Sequence, residues 1–231
     1  MPFFLPIKPE RIKSAPTSES SVIISWLPPR RRNGILLQYT LFVRVLNKGQ
    51  EITIRKQPMP AETHHFEATQ LTTKETYEAW LTASTKVGSG ASTNVLKLLP
   101  NSQVPAAIVS FGQIVTVSWR VDVRLACQYV GFPRPIPEWS VADPGAKQQR
   151  LEIGDNNTLT LRNVQRSHAS NYTCMVRNSH GHDRITYQLS VQVPPAAPKL
   201  TATSSAPASV HLHWHLSDTG GAPIKNYVSK I

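Results

Sequence analysis

Apolar residues recur at every second position in one short run after another: Val22, Ile24 and Trp26; Leu37, Tyr39, Leu41 and Val43; Tyr77, Ala79, Leu81 and Ala83; Val123, Leu125 and Cys127; Tyr172, Cys174 and Val176. Successive side chains of a strand point to opposite faces, so a period of two marks strands buried on one side. The fold class this predicts is all-β, built as tandem β-sandwiches with almost no helix. Pro28-Pro29, Asn33-Gly34 and Gly88-Ser89-Gly90 separate the runs with residues that end strands and shape turns. A small sandwich needs about 100 residues. The 231 residues, 19 of them proline, therefore accommodate two complete sandwiches and a remnant.

Residues 7–100 contain no cysteine, and their alternation predicts seven strands at most. Pro9, Trp26, Tyr39, Leu71 and Tyr77, with Tyr77-Glu78-Ala79-Trp80-Leu81-Thr82-Ala83 leading into Val87-Gly88-Ser89-Gly90, resemble a fibronectin type III module. The resemblance implies that Trp26 fills the space between the sheets and that Tyr77 turns its hydroxyl back to the backbone at a corner. Both are then core residues, and truncating an aromatic of that size costs about 3–5 kcal/mol.

Over residues 104–193 the pattern changes, because Cys127, Trp139 and Cys174 enter with a spacing similar to that of an immunoglobulin sandwich, here of the I-set type. Leu159 and Leu161 mark a further strand, and Asn171-Tyr172-Thr173-Cys174 resembles the Tyr-x-Cys strand of that family, with Tyr172 as its corner tyrosine. The resemblance implies a disulfide from Cys127 to Cys174 against Trp139, worth roughly 4 kcal/mol in the chain-entropy account. Two reduced buried thiols, as in cytosolic muscle sandwiches, are the alternative. His168 stands where the family carries an Asp four residues before the tyrosine, which leaves a common surface Arg–Asp pair open.

Pro194-Pro195-Ala196-Ala197-Pro198 reads as a semi-rigid linker. Beyond it, Val210, Leu212 and Trp214 repeat the second strand of the first module, and Asn226-Tyr227-Val228 resembles its third. Residues 194–231 are thus expected to be a truncated fibronectin type III module. A strand pair without an opposing sheet leaves its apolar face open, so this segment is expected to be unstable alone.

The chain carries 25 Lys and Arg against 14 Asp and Glu, a formal charge of +11 that is spread over all three stretches. Such a surface attracts polyanions; heparan sulfate is the partner carried forward, and nucleic acid is not. Arg30-Arg31-Arg32, in the turn between the second and third strands, is the candidate polyanion contact, with a nuclear-import signal and a plain solvated loop as the other readings. His211, His213 and His215 share the strand face opposite Trp214, where Zn²⁺ is conceivable, but a polar solvent face explains them more simply. His64-His65, His180 and His182 are weaker candidates. The sequons at Asn156 and Asn171 are candidate N-glycosylation sites. No grouping of acids, histidines or nucleophiles points to catalysis, so neither an enzyme nor a cofactor is expected. The apolar stretch Phe3 to Leu5 is too short for a signal peptide, and no run reaches transmembrane length.

The order of modules is itself informative. Val123-Arg124-Leu125-Ala126-Cys127-Gln128-Tyr129-Val130-Gly131-Phe132-Pro133-Arg134-Pro135, with Leu27-Pro28-Pro29 upstream and Gly220-Gly221-Ala222-Pro223-Ile224 downstream, resembles the Down syndrome cell adhesion molecule family. The resemblance places the chain at that family's fourth fibronectin, tenth immunoglobulin and start of the fifth fibronectin module. It implies a receptor on the extracellular side of the plasma membrane. That receptor would act in homophilic adhesion, axon guidance and dendrite self-avoidance. Its partners would be other cell-surface proteins, bound through modules this chain lacks, and its membrane anchor would lie outside the chain. The rival readings are a cytosolic muscle-type scaffold and a heparan-sulfate-binding matrix fragment.

Overall fold

The computed structural model describes residues 4–142, 151–206 and 209–228; Phe3, which heads the short apolar stretch, lies outside them. Among the described residues the structure is built from strands, and its one helical element is a single 3₁₀ turn at Arg166–His168. The chain divides into two compact units. The first comprises Met1–Phe111, Ala126–Glu138 and Cys174–Ile185, and the second Gly112–Leu125, Trp139–Thr173 and Thr186–Ile231.

Over residues 10–98, eight strands follow in order: β1 Glu10–Ser18, β2 Ser21–Leu27, β3 Gln38–Asn47, β4 Gln50–Pro60, β5 His65–Ala68, β6 Thr76–Thr85, β7 Gly88–Ser89 and β8 Leu96–Leu98. One sheet runs β1-β2-β5 and the other β4-β3-β6-β7, with β8 also on β6. The expected maximum of seven is exceeded because the strand returning from the last hairpin is split into β7 and β8. Between them only single backbone bonds follow β6, from Gly90 N–H to Ala83 O and from Thr93 N–H to Leu81 O. Gly90 is crowded there by the N-terminal segment: a Cβ on it would lie 2.0 Å from Pro6 O.

The inward faces of both sheets meet in one core of Val22, Ile24, Trp26, Tyr39, Leu41, Val45, Tyr77, Ala79, Leu81 and Leu98. Leu37 departs from the predicted alternation. It precedes β3, is 48% exposed, and its N–H is held by Ser84 O.

The residues that follow supply nine further strands: β9 Ala107–Ile108, β10 Ile114–Ser118, β11 Val123–Leu125, β12 Tyr129–Val130, β13 Ile136–Val141, β14 Glu152–Ile153, β15 Leu159–Leu161, β16 Ser170–Asn178 and β17 Gly181–Gln192. A four-stranded sheet runs β10-β17-β16-β13, a three-stranded one β11-β15-β14, and β9 pairs β12. The β10–β17 pair is parallel, from Ile114 opposite Gln188 to Ser118 opposite Gln192.

A two-stranded hairpin of β18 Lys199–Ala206 and β19 Ser209–His215 closes the second unit, with Leu200 opposite Trp214 and Ala202 opposite Leu212. Asn226-Tyr227-Val228 does not form the expected strand. An extended segment becomes a strand only through a ladder partner, and among the described residues these three have none. Tyr227 rests instead on Trp214, with ring centroids 5.7 Å apart.

Candidate functional site

Two tyrosines sit at corners and two tryptophans are wedged into cores. Trp26 is buried edge-on to Tyr39, ring centroids 5.5 Å apart. The Trp26 Nε1 and the Tyr39 hydroxyl are both buried without a hydrogen-bond partner, and burial pushes the Tyr39 phenol up to about 12. Tyr77 differs: its hydroxyl accepts from Thr72 N–H at 2.9 Å and donates to Glu75 Oε2 at 2.6 Å. Tyr172 donates its hydroxyl to His168 O at 2.8 Å, and burial raises its phenol above the ordinary value. His168 does structural work of another kind, since its Nδ1 accepts from Gln165 N–H and burial holds the imidazole below its usual pKa. Trp139 donates Nε1–H to Asn157 O and stacks on Tyr187 at 6.2 Å. Cys127, just past β11, and Cys174, in β16, are joined in a disulfide and fully buried.

Around Arg30-Arg31-Arg32 the fold does more than expose a loop. Arg30 is taken by Glu10, guanidinium to carboxylate at 2.8 Å. Arg31 gives its carbonyl to Ile7 N–H at 3.2 Å, and Asn33 donates Nδ2–H to Leu5 O at 2.8 Å, so the N-terminal segment is laced to this loop. Lys8 follows directly and donates to Asn94 Oδ1 at 3.4 Å. Lys86 occupies the exposed turn between β6 and β7. The sequence alone does not associate Lys8 and Lys86 with the arginines, because only the strand register brings those segments to one end.

A second contact set, also unanticipated, ties β1 and β2 to residues 109–111. Lys13 Nζ donates to Ser110 O at 2.6 Å and lies 4.6 Å from the Phe111 ring centroid. Arg11 covers the same ring at 5.1 Å, and Ser25 donates its hydroxyl to Val109 O at 2.8 Å. Burial lowers the Lys13 amine to about 8, Asp183 opposing the shift and Arg11 adding to it. On the outer face of the other sheet, Phe42 and Trp80 stack at 5.5 Å, flanked by Lys56 and Arg44.

In the second unit the Pro-rich linker is pinned. Val193 N–H donates to Gly220 O at 2.9 Å and Ala196 N–H to Asp218 O at 3.0 Å, while Asp218 also pairs with Arg166. Gly220 adopts φ +72°, and a Cβ there would lie 2.0 Å from Val193 O, so only glycine fits. Asn156 is exposed, its Oδ1 accepting from Thr158 N–H at 3.2 Å, and Asn171 is exposed on β16 beside buried Tyr172. His211, His213 and His215 pair across the hairpin with Thr203, Thr201 and Lys199. Among the described residues no three His, Cys, Asp or Glu side chains gather as a metal site, and no helix is long and apolar enough to cross a membrane.

Comparison with known proteins gives residues 8–98 as a fibronectin type III domain and residues 105–178 as an immunoglobulin domain. The chain is 39% identical over 226 residues to the cell adhesion molecule Dscam2 of Drosophila melanogaster, covering 96% of this chain and 11% of that protein. It is 37% identical over 229 residues to the cell adhesion molecule DSCAML1 of Homo sapiens, covering 97% of this chain and 11% of that one. It therefore spans about a ninth of the length of the curated relatives it matches. Among solved structures, the FN5 domain of Drosophila Lar aligns over 42% of this chain and 99% of its own, at 24% identity and a TM-score of 0.35.

Proposed function

Because this chain belongs to the Down syndrome cell adhesion molecule family, we propose that it is a non-enzymatic segment of a neuronal cell-surface adhesion receptor. In this reading it is a membrane-proximal spacer, made of a fibronectin type III module at 7–100, an immunoglobulin module at 104–193 and the start of another fibronectin module at 194–231. These correspond to the family's fourth fibronectin, tenth immunoglobulin and fifth fibronectin modules. The observation that carries the reading is the continuity of the match, which runs at 39% identity through both domains and into the hairpin beyond.

The Cys127–Cys174 bond supports an oxidising, extracellular setting over the cytosolic muscle-type reading. Asn156 and Asn171 are the asparagines that would carry glycans there. Self-recognition of the whole receptor belongs to modules outside this segment.

Beads coated with this chain alone test the spacer role. They are expected to stay dispersed, and the soluble chain to sediment as a monomer at micromolar concentration. Bead clustering or a micromolar dimer would overturn it.

A further inference from the structure

We propose that the end of the first module carrying Arg31 and Arg32 binds a sulfated glycosaminoglycan through four cations, Lys8, Arg31, Arg32 and Lys86. The assignment rests on the cell-surface reading above for the kind of polyanion, but its geometry stands by itself.

Strand register brings the four together. Glu10 at the start of β1 is opposite Leu27 at the end of β2, and Gln38 at the start of β3 is opposite Ser84 near the end of β6. The segment before β1, the loop from β2 to β3 and the turn after β6 therefore emerge at one end of the sandwich. Contacts between them fix the arrangement. Ile7 is bonded to Arg31, Asn33 to Leu5 and Leu37 to Ser84, and a Cβ on Gly34 would sit 3.7 Å from the Thr85 methyl. The loops are thus held before any ligand arrives, which lowers the ordering cost of binding.

The charges at this end are unbalanced. Glu10 is committed to Arg30, which removes that arginine from the candidate contact. Glu62, in the loop between β4 and β5, is the other carboxylate there, because that loop is tied to the end of β2 by Trp26 N–H to His64 O. Among the described residues no carboxylate lies within ion-pair distance of Arg31, Arg32 or Lys86, and all four cations are exposed. Four cations contributed by three separate segments at one end of the sandwich, on a protein of charge +11, fit a polymeric chain of sulfates better than a single small anion.

Heparin affinity of the full chain across a salt series tests this. Arg31→Ala with Arg32→Ala, and Lys8→Ala with Lys86→Ala, are each expected to weaken binding and to lower the slope of log Kd against log salt by about one to two. All four together are expected to abolish retention at physiological salt. Arg177→Ala with Arg184→Ala removes the same charge from exposed positions elsewhere and is expected to leave the slope nearly unchanged. The proposal is overturned if that control weakens binding as much as either pair, or if the fourfold variant binds like the parent. Equal affinity for single-stranded DNA or anionic vesicles at physiological salt overturns the sulfated-glycan assignment. None of these measurements depends on the bead assay, so the two readings fail separately.

Discussion

Lys13 Nζ donates to the carbonyl oxygen of Ser110, 97 residues along the chain, at 2.6 Å. The Phe111 ring and Asp183 favour the charged amine, yet burial outweighs them and holds its pKa at about 8 against an ordinary 10.5. The folded state then releases this proton near pH 8, while the unfolded chain keeps it to pH 10.5, so Lys13 makes stability rise with pH across that window. Melting curves over the window should show that rise in the parent and lose it in Lys13→Met. A side-chain NMR titration of Lys13 with a midpoint near 10.5 would contradict the account.

Replacing both Cys127 and Cys174 by alanine should lower unfolding stability of the immunoglobulin module by about 4 kcal/mol, the chain-entropy value for a closed loop of this size. The bond spans 47 positions. Urea titration followed by the indole N–H NMR resonance of Trp139 reads the change, and a loss below about 1 kcal/mol would show that packing alone holds these two strands.

Tyr77 and Tyr39 share one core but predict opposite outcomes for the same substitution. Tyr77→Phe deprives Thr72 N–H of its acceptor and Glu75 of a donor, a cost of about 1–3 kcal/mol. Tyr39→Phe removes a buried hydroxyl that has no partner and should stabilise by about 1 kcal/mol. Equilibrium denaturation of the two variants side by side distinguishes them.

The β18–β19 hairpin exposes Leu200 at 60%, Leu212 at 42% and Trp214 at 53%, so its apolar face lies open. Its amides should exchange within the fastest class of the molecule, far ahead of those of β3 and β6, whose inward side chains are buried. Strong protection around Trp214 would refute this.

Much of the core could be read beforehand because a period of two depends on local chemistry alone. Trp26, Tyr39, Tyr77, Cys127, Tyr172 and Cys174 stand in or beside the alternating runs, and all six are buried. What the sequence did not disclose depends on pairing between distant segments. Phe42 meets Trp80 only because β3 and β6 run antiparallel in one particular register, and Lys13 meets Ser110 only after β1 has been laid down. Arg30 looked equivalent to its two neighbours until Glu10 was brought opposite the end of β2. Asn226-Tyr227-Val228 has the composition of a strand, but a strand requires a partner that composition cannot supply.

The parallel pairing of β10 with β17 has a mechanical consequence. β10 lies near the entry of the immunoglobulin module and β17 near its exit, and their shared direction places those two connections at opposite ends of the ladder. Tension drawn along the chain therefore loads the rungs from Ile114 to Ser118 together, in shear, instead of peeling them one at a time. Resistance to pulling is governed by the unfolding barrier and not by equilibrium stability. A module of modest stability can thus carry a brief load without lengthening.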